Sequence, residues 1–172
     1  MTATIRPRTD DDLAALAKVL VEVHDVDGYP VEGVKQPIAW LELPDAIAIW
    51  IAQIDGKPVG HVAITEPGAA DDAARLLREQ PAEGHTAILG RLFVSPSARG
   101  QGIAQQLVLT AMTASARMGR RLVLDVMKKD EAAIRLYRRL GWTEIGSVEH
   151  KHVAGPPEPA LAMAAPEAIN NA

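Results

Sequence analysis

The chain has 172 residues, 48% of them hydrophobic and 23% charged, ordinary globular usage that suits one domain with its own core and excludes disorder or a fibrous architecture. A net charge of −4 and a pI near 5.7 exclude a general nucleic-acid binder, whose affinity comes from neutralising phosphates, and the lack of cysteine excludes disulfides, thiolate catalysis and cysteine metal sites. No apolar run approaches the ~18–20 residues that cross a bilayer and Met1 to Asp12 is not a basic segment leading into an apolar stretch, so no membrane partner is expected and the protein is read as cytoplasmic.

Thr4 to Arg8 has the residues of a short strand. Asp10 offers a helix cap, and Leu13, Leu16, Ala17 and Leu20 recur at helical spacing, which predicts a first helix to about Val23. His24 to Pro30 reads as a loop and Gln36 to Leu43 as a weaker helical segment. Ala48 to Ile54, Asp55-Gly56 and Pro58 to Thr65 spell strand, turn and strand, so a hairpin is expected there. Ala69 to Gln80 is predicted as a short helix, and Pro81 to His85 leads into an apolar strand, Thr86 to Val94. The spacing of Ile103, Leu107, Ala111 and Met118 predicts a long helix from Gly102, stopped by Gly119. Leu122 to Met127 follows as a strand. Asp130 then caps a helix with Ala133, Ile134, Tyr137 and Leu140 on one face and Gly141 at its end. Trp142 to Glu149 and Ala160 to Ala164 are read as a last strand pair, and Ala165 to Ala172 as loose.

Chemistry concentrates between residues 88 and 142. The strand ending Leu92-Phe93-Val94 turns through Ser95 to Ala98 into Arg99-Gly100-Gln101-Gly102-Ile103-Ala104, where the long helix begins. Helix starts leave N–H groups unpaired and carry partial positive charge, so main-chain donors can hold a pyrophosphate there. Glycine at 100 and 102 lets a ligand approach the backbone. A nucleotide P-loop would need Gly-Lys-Ser or Gly-Lys-Thr, which does not follow Gly102, and a dinucleotide fingerprint would need glycine where Gln105 stands.

What remains, Arg99-x-x-Gly102-x-Ala104 after an apolar strand, resembles the coenzyme A motif of the GNAT superfamily of acyl-CoA-dependent N-acyltransferases. Leu124 to Asp130, then Ala133, Leu136-Tyr137 and Gly141-Trp142, is similar to the second half of that signature, in the right order and at the right distance. The resemblance implies an α/β fold, a mixed and largely antiparallel sheet of six to seven strands flanked by helices, with residues 1–165 as a single N-acetyltransferase domain and 166–172 as a loose C-terminal tail. In such a fold the strand before the cradle and the strand 122–127 splay apart around the pantetheine arm.

Acetyl-CoA is the implied co-substrate, with main-chain contacts from Leu92, Phe93 and Val94 and pyrophosphate contacts from Arg99, Gly100, Gln101, Gly102, Ile103 and Ala104. Asp130 stands where the family usually has asparagine; an ionised aspartate cannot donate to the coenzyme, which leaves helix capping as its other role. Tyr137 holds the family's proton-donor position beside the coenzyme. The implied function is transfer of an acetyl group to a primary amine, of a small molecule or a peptide N-terminus, by direct attack in a ternary complex. The alternative is a non-catalytic acyl-CoA-binding sensor or scaffold. The final strands also allow pairing between two chains in a homodimer.

Direct attack sets chemical demands. A phenol of ordinary pKa ~10 can donate to a departing thiolate of pKa ~8.5, which suits Tyr137, although a tyrosine on an apolar helix face also packs. An unpaired amide near Val94 can donate to the oxyanion. The acceptor arrives as ammonium and must lose a proton. Asp125 lies twelve positions before Tyr137, where members that acetylate protein N-termini carry a glutamate base; it acts directly, through a water, or only as a hydrogen-bonding group on the strand. Many relatives carry a further acid where this chain has Ile88. His150 and His152 imitate paired metal ligands without a third, so no metal is expected, and His61 and His85 read as surface or satisfied polar residues. The family's acceptor entrance lies beside the loop after the first helix, which makes His24, Asp25, Asp27 and Tyr29 the candidate acceptor residues. With Glu22, the carboxylates there predict a cationic amine.

Overall fold

The computed structural model describes residues 2–68, 71–78, 85–150 and 155–167. Its elements are β1 Thr4–Pro7, α1 Leu13–Asp27, α2 Pro37–Leu41, β2 Ala46–Ile54, β3 Lys57–Thr65, α3 Asp72–Arg78, β4 His85–Val94, α4 Ile103–Arg117, β5 Arg120–Met127, α5 Glu131–Arg139, β6 Thr143–His150 and β7 Glu158–Ala164. The strands form a seven-stranded sheet in the order β1-β2-β3-β4-β5-β7-β6. β1 with β2, β2 with β3, β5 with β7 and β6 with β7 are antiparallel, whereas β4 with β5 is parallel. This is the mixed, largely antiparallel sheet with flanking helices that was expected.

The chain divides into two compact units, Met1–Thr65 with Gly90–Ala111, and Glu66–Leu89 with Met112–Ala172. In the first, the β2–β3 turn places Asp55 and Gly56 at φ of +51° and +76°, the paired left-handed conformation whose twist matches a hairpin. Leu16, Leu20 and Val23 stack along one face of α1 and pack with Leu41, Ile51 and Phe93. The approach to α1 is a short 3-10 turn, Asp10–Asp12, with Thr9 as its cap in place of the expected Asp10. Thr9 N–H donates to Asp12 at 2.8 Å, and Arg6 donates to both Asp12 oxygens at 2.8 and 2.7 Å. α1 also runs past Val23 to Asp27. Its stop is Gly28 at φ +71°, whose N–H donates to the His24 carbonyl at 2.8 Å.

In the second unit, Ala73, Ala74 and Leu77 of α3 pack on Val123, Ala162 and Ala164. α3 comes so close to β6 that a Cβ on Gly146 would lie 2.8 Å from Leu76 Cδ1. Gly119 and Gly141 end their helices at φ of +68° and +87°, as expected. The start of the expected loose tail is held: Ala165 N–H donates to the Leu122 carbonyl at 2.9 Å, Arg121 Nε to the Ala165 carbonyl at 2.9 Å, and Arg121 ion-pairs Glu167 at 3.4 Å. Pro81, His152 and the rest of the tail, 168–172, lie outside the described residues. No helix among the described residues is long and apolar enough to cross a membrane.

Candidate active site

At the end of β4, Ser95 N–H donates to the Val59 carbonyl at 2.7 Å, and Gly102 supplies the carbonyl for the first α4 hydrogen bond, from Gln106 N–H at 3.1 Å. Between them Gly100 and Gly102 stand at φ of +79° and +74°. A Cβ on either would meet no protein atom within 4 Å. These glycines therefore answer to backbone conformation and not to internal packing, and they border open space at a helix start whose first N–H groups lack intrahelical partners. Ile103 is buried and anchors the turn, while Gly100, Gln101 and Gly102 are exposed and Ala104 is half-buried. Exposed donors with partial positive charge fit a pyrophosphate.

The Arg99 side chain is engaged elsewhere. It donates to the Val94 carbonyl at 3.3 Å and ion-pairs Asp27, so it ties the end of β4 to the last turn of α1. Leu92 is half-buried, and Phe93 and Val94 are buried. His24, Asp25 and Asp27 stand on helix, not in the expected loop. Asp25 and Asp27 are exposed, and the Asp27 carboxylate ion-pairs Arg99. Tyr29 meets Trp40 edge-on, with ring centroids 5.8 Å apart.

Three residues beside them went unremarked in the sequence or were read only as satisfied polar groups. Arg91 lies 4.0 Å over the Trp40 ring, and its φ of +54° breaks the regular strand. Its carbonyl accepts from His61 Nδ1 at 2.8 Å, while His61 Nε2 lies 3.1 Å from Arg8 Nη1. A guanidinium only donates, so Nε2 accepts and His61 is the neutral Nδ1–H tautomer. Burial pushes this imidazole down to about 4, with a smaller opposing effect from its bond to Arg91. Burial also lowers the Arg91 pKa, which the nearby Tyr29 and Glu32 partly offset. His24 Nδ1 and Trp40 Nε1 are buried without a hydrogen-bond partner. The available signal was an arginine interrupting the apolar run Thr86 to Val94.

In the second unit, Tyr137 is 5% exposed on the α5 face that also buries Ile134 and Leu136. Its ring lies 5.3 Å from that of Trp142, whose indole N–H donates to the Met112 sulfur at 3.3 Å. Asp130 is the N-cap of α5 by position, but its side chain makes no capping hydrogen bond, which corrects that expectation. The β4–β5 ladder covers four pairs, His85↔Arg120 to Ile88↔Val123, whereas β5 pairs with β7 as far as Met127↔Ala160. Past Val123 the β4-side edge of β5 has no ladder partner among the described residues. Ile88 packs against the Val123 and Ala162 cluster and offers no carboxylate. Asp125 accepts a hydrogen bond from His150 Nδ1 at 2.9 Å, joining two residues that the sequence left apart. Among the described residues no group of three His, Asp or Glu side chains is placed to hold a metal ion.

Residues 14–142 match the sequence profile of the Acetyltransferase (GNAT) family. The chain belongs to this family. The GNAT match takes in α1, the cradle, Asp125 and Tyr137. An uncharacterized N-acetyltransferase of Methanocaldococcus jannaschii is 31% identical over 148 residues, 83% of this chain, which spans 62% of that relative's length. An N-acetyltransferase from Staphylococcus aureus is similar in fold, with a TM-score of 0.70 at 21% identity over 95% of this chain and 98% of that one. Arabidopsis thaliana NAA60, solved in complex with acetyl-CoA, gives a TM-score of 0.70 at 21% identity over 95% and 98% of the two chains.

Proposed function

We propose that this GNAT domain transfers the acetyl group of acetyl-CoA to a primary amine by direct attack in a ternary complex. The observation that carries the reading is the pair of left-handed glycines, Gly100 and Gly102, facing open space at the start of α4. In a chain of this family, that arrangement is what a coenzyme A pyrophosphate requires. The acetyl-CoA complex of a protein with the same fold supports the same co-substrate.

Bound acetyl-CoA supplies an activated acetyl group. Main-chain N–H groups from Gly100 to Ala104 hold the pyrophosphate, and the main chain of Leu92 to Val94 lines the pantetheine arm. Tyr137 gives its phenolic proton to the departing sulfur; the ordinary phenol and thiol pKa values differ by only about 1.5 units, so the transfer is accessible. Asp125 stands at the base position. On the acceptor side, Asp27 is matched by Arg99, whereas Arg91, held over the Trp40 ring, brings a guanidinium that only donates. An acceptor with an oxygen, of a carboxylate or a peptide carbonyl, near its amine fits that donor, beside the cationic amine that the acidic residues suggest.

The test is thiol release from acetyl-CoA with alkylamines, amino acids and short peptides, each confirmed by mass measurement of the acetylated product. Amine-dependent release is expected, with amino acids or peptides ahead of simple diamines. Calorimetric binding of acetyl-CoA without amine-dependent release from any of them would make the domain a coenzyme sensor.

A further inference from the structure

Arg91 stands where the alternation of β4 calls for an apolar side chain. Side chains two apart share a face of a strand, and in the series Ala87, Leu89, Arg91, Phe93 the other three are buried. Arg91 is half-buried. Trp40 of α2 meets both Arg91 and Phe93: the guanidinium carbon lies 4.0 Å over its ring, and the Phe93 ring centroid is 6.3 Å from it.

The backbone here is as particular as the side chain. The φ of +54° at Arg91 is strained for any residue with a Cβ, and such strain persists only where the surroundings over-determine it. The Arg91 carbonyl accepts from His61 Nδ1 at 2.8 Å, His61 Nε2 accepts from Arg8 Nη1 at 3.1 Å, and the same Arg8 nitrogen donates to the Leu41 carbonyl at 2.7 Å. The His61 ring also stacks on Phe93, with centroids 5.2 Å apart. Leu41 follows Trp40 in the chain, so one run of hydrogen bonds holds both halves of the stacked pair.

Stacking engages only the face of a guanidinium and leaves the N–H donors in its plane. Arg6, Arg99 and Arg120 each hold a carboxylate, whereas the Arg91 guanidinium has no ion pair or hydrogen bond among the described residues. Burial disfavours its charge, and Tyr29 and Glu32 offset that only in part. Arg91 is bonded to Leu92, the first residue read as lining the pantetheine arm, and it is within electrostatic reach of Tyr29, a candidate acceptor residue.

We propose that Arg91 selects the acceptor by pairing with a carboxylate on it, so that the substrate is an aminocarboxylate such as an amino acid, an inference that rests on the acetyltransferase reading. Trp40 and His61 are the positioning residues. A carboxylate offers two oxygens to the fork and neutralises its charge, whereas a peptide carbonyl offers one oxygen and leaves the charge in place. An aminocarboxylate also carries an ammonium, so the exposed carboxylates of α1, Asp25 among them, do not oppose it.

The experiment measures kcat and KM by thiol release for matched acceptors: α-amino acids of several side-chain types, their amides, and the alkylamines left when the carboxylate is removed. Wild type, Arg91→Gln and Arg91→Lys are compared, with circular dichroism and acetyl-CoA calorimetry to check folding. Comparing each acceptor between wild type and variant cancels the different basicities of the three amines. In Arg91→Gln the acid-to-alkylamine ratio of kcat/KM should fall roughly 10–100-fold, chiefly through KM, and the acid-to-amide ratio should fall with it. Arg91→Lys keeps the charge without the fork and should lose less. Equal losses for acid, amide and alkylamine in folded Arg91→Gln, or no loss, would overturn the assignment. A wild type that releases no thiol with any amine would instead defeat the acetyltransferase reading. Calorimetric titration of the amino acids into the coenzyme A-loaded protein then decides the site: binding that needs both the carboxylate and Arg91 supports it, and binding indifferent to either, or none, overturns it.

Discussion

Tyr137 is buried among Ile134, Leu136 and Trp142, so its ring has a packing role whatever its hydroxyl does. Tyr137→Phe separates the two, because it keeps the ring and removes only the proton. Turnover should fall by roughly 10²-fold while acetyl-CoA affinity and thermal midpoint stay near wild type; single-turnover kinetics are the appropriate measurement. Asp27 offers a second test at this scale. It was legible as a charged residue near the acceptor, but its partner Arg99 lies 72 positions away, and no local pattern announces such a pairing. Both side chains are 40% exposed, and an exposed pair contributes at most about 1 kcal/mol. Asp27→Asn should therefore weaken acetyl-CoA binding only about 2–5-fold, most clearly at low salt. A change in the acceptor KM with coenzyme affinity untouched would return Asp27 to the acceptor side.

Turns and helix ends were readable where a few adjacent residues decide them. Asp55-Gly56 and the stops at Gly119 and Gly141 stand as the sequence suggested, because a left-handed φ is a property of the residue itself. The last turn of α1 was not readable. His24, Asp25 and Asp27 are polar and Val26 between them is exposed, so this turn adds nothing to the buried stripe that periodicity detects. For the loop entering α4, Gly102→Val is the decisive variant. Its new Cβ would meet no protein atom, so the folding cost is confined to the left-handed backbone, about 1–2 kcal/mol. The expected protein is folded, with a lowered melting temperature and acetyl-CoA affinity reduced at least tenfold by calorimetry. Wild-type affinity would place the pyrophosphate elsewhere.

Global stability should depend on pH through His61. Its imidazole takes a proton near the ordinary value of ~6.5 when unfolded but only near about 4 in the folded protein. Between those values the unfolded state binds more protons, so stability is complete above ~6.5 and falls as pH drops towards 4, by roughly 3 kcal/mol. Asp12, held low first by its bond to Arg6, loses its contribution only at still lower pH. Urea midpoints at pH 7.5, 5.5 and 4 should show the fall, and His61→Gln should start lower and fall less. A wild-type midpoint that does not change across this range would contradict the buried neutral tautomer. By itself the sequence determined the family and the glycine turn proposed as the coenzyme cradle, because Arg99 to Ala104 is contiguous and the unpaired amides of a helix start are local in origin. Only the tertiary structure decided which side chains meet: Arg99 with Asp27, His61 between Arg8 and Arg91, and Asp125 with His150. Those meetings depend on where α1 ends and on β7 lying between β5 and β6. Strand order and register are set by packing between distant segments, and no periodicity within one segment records them.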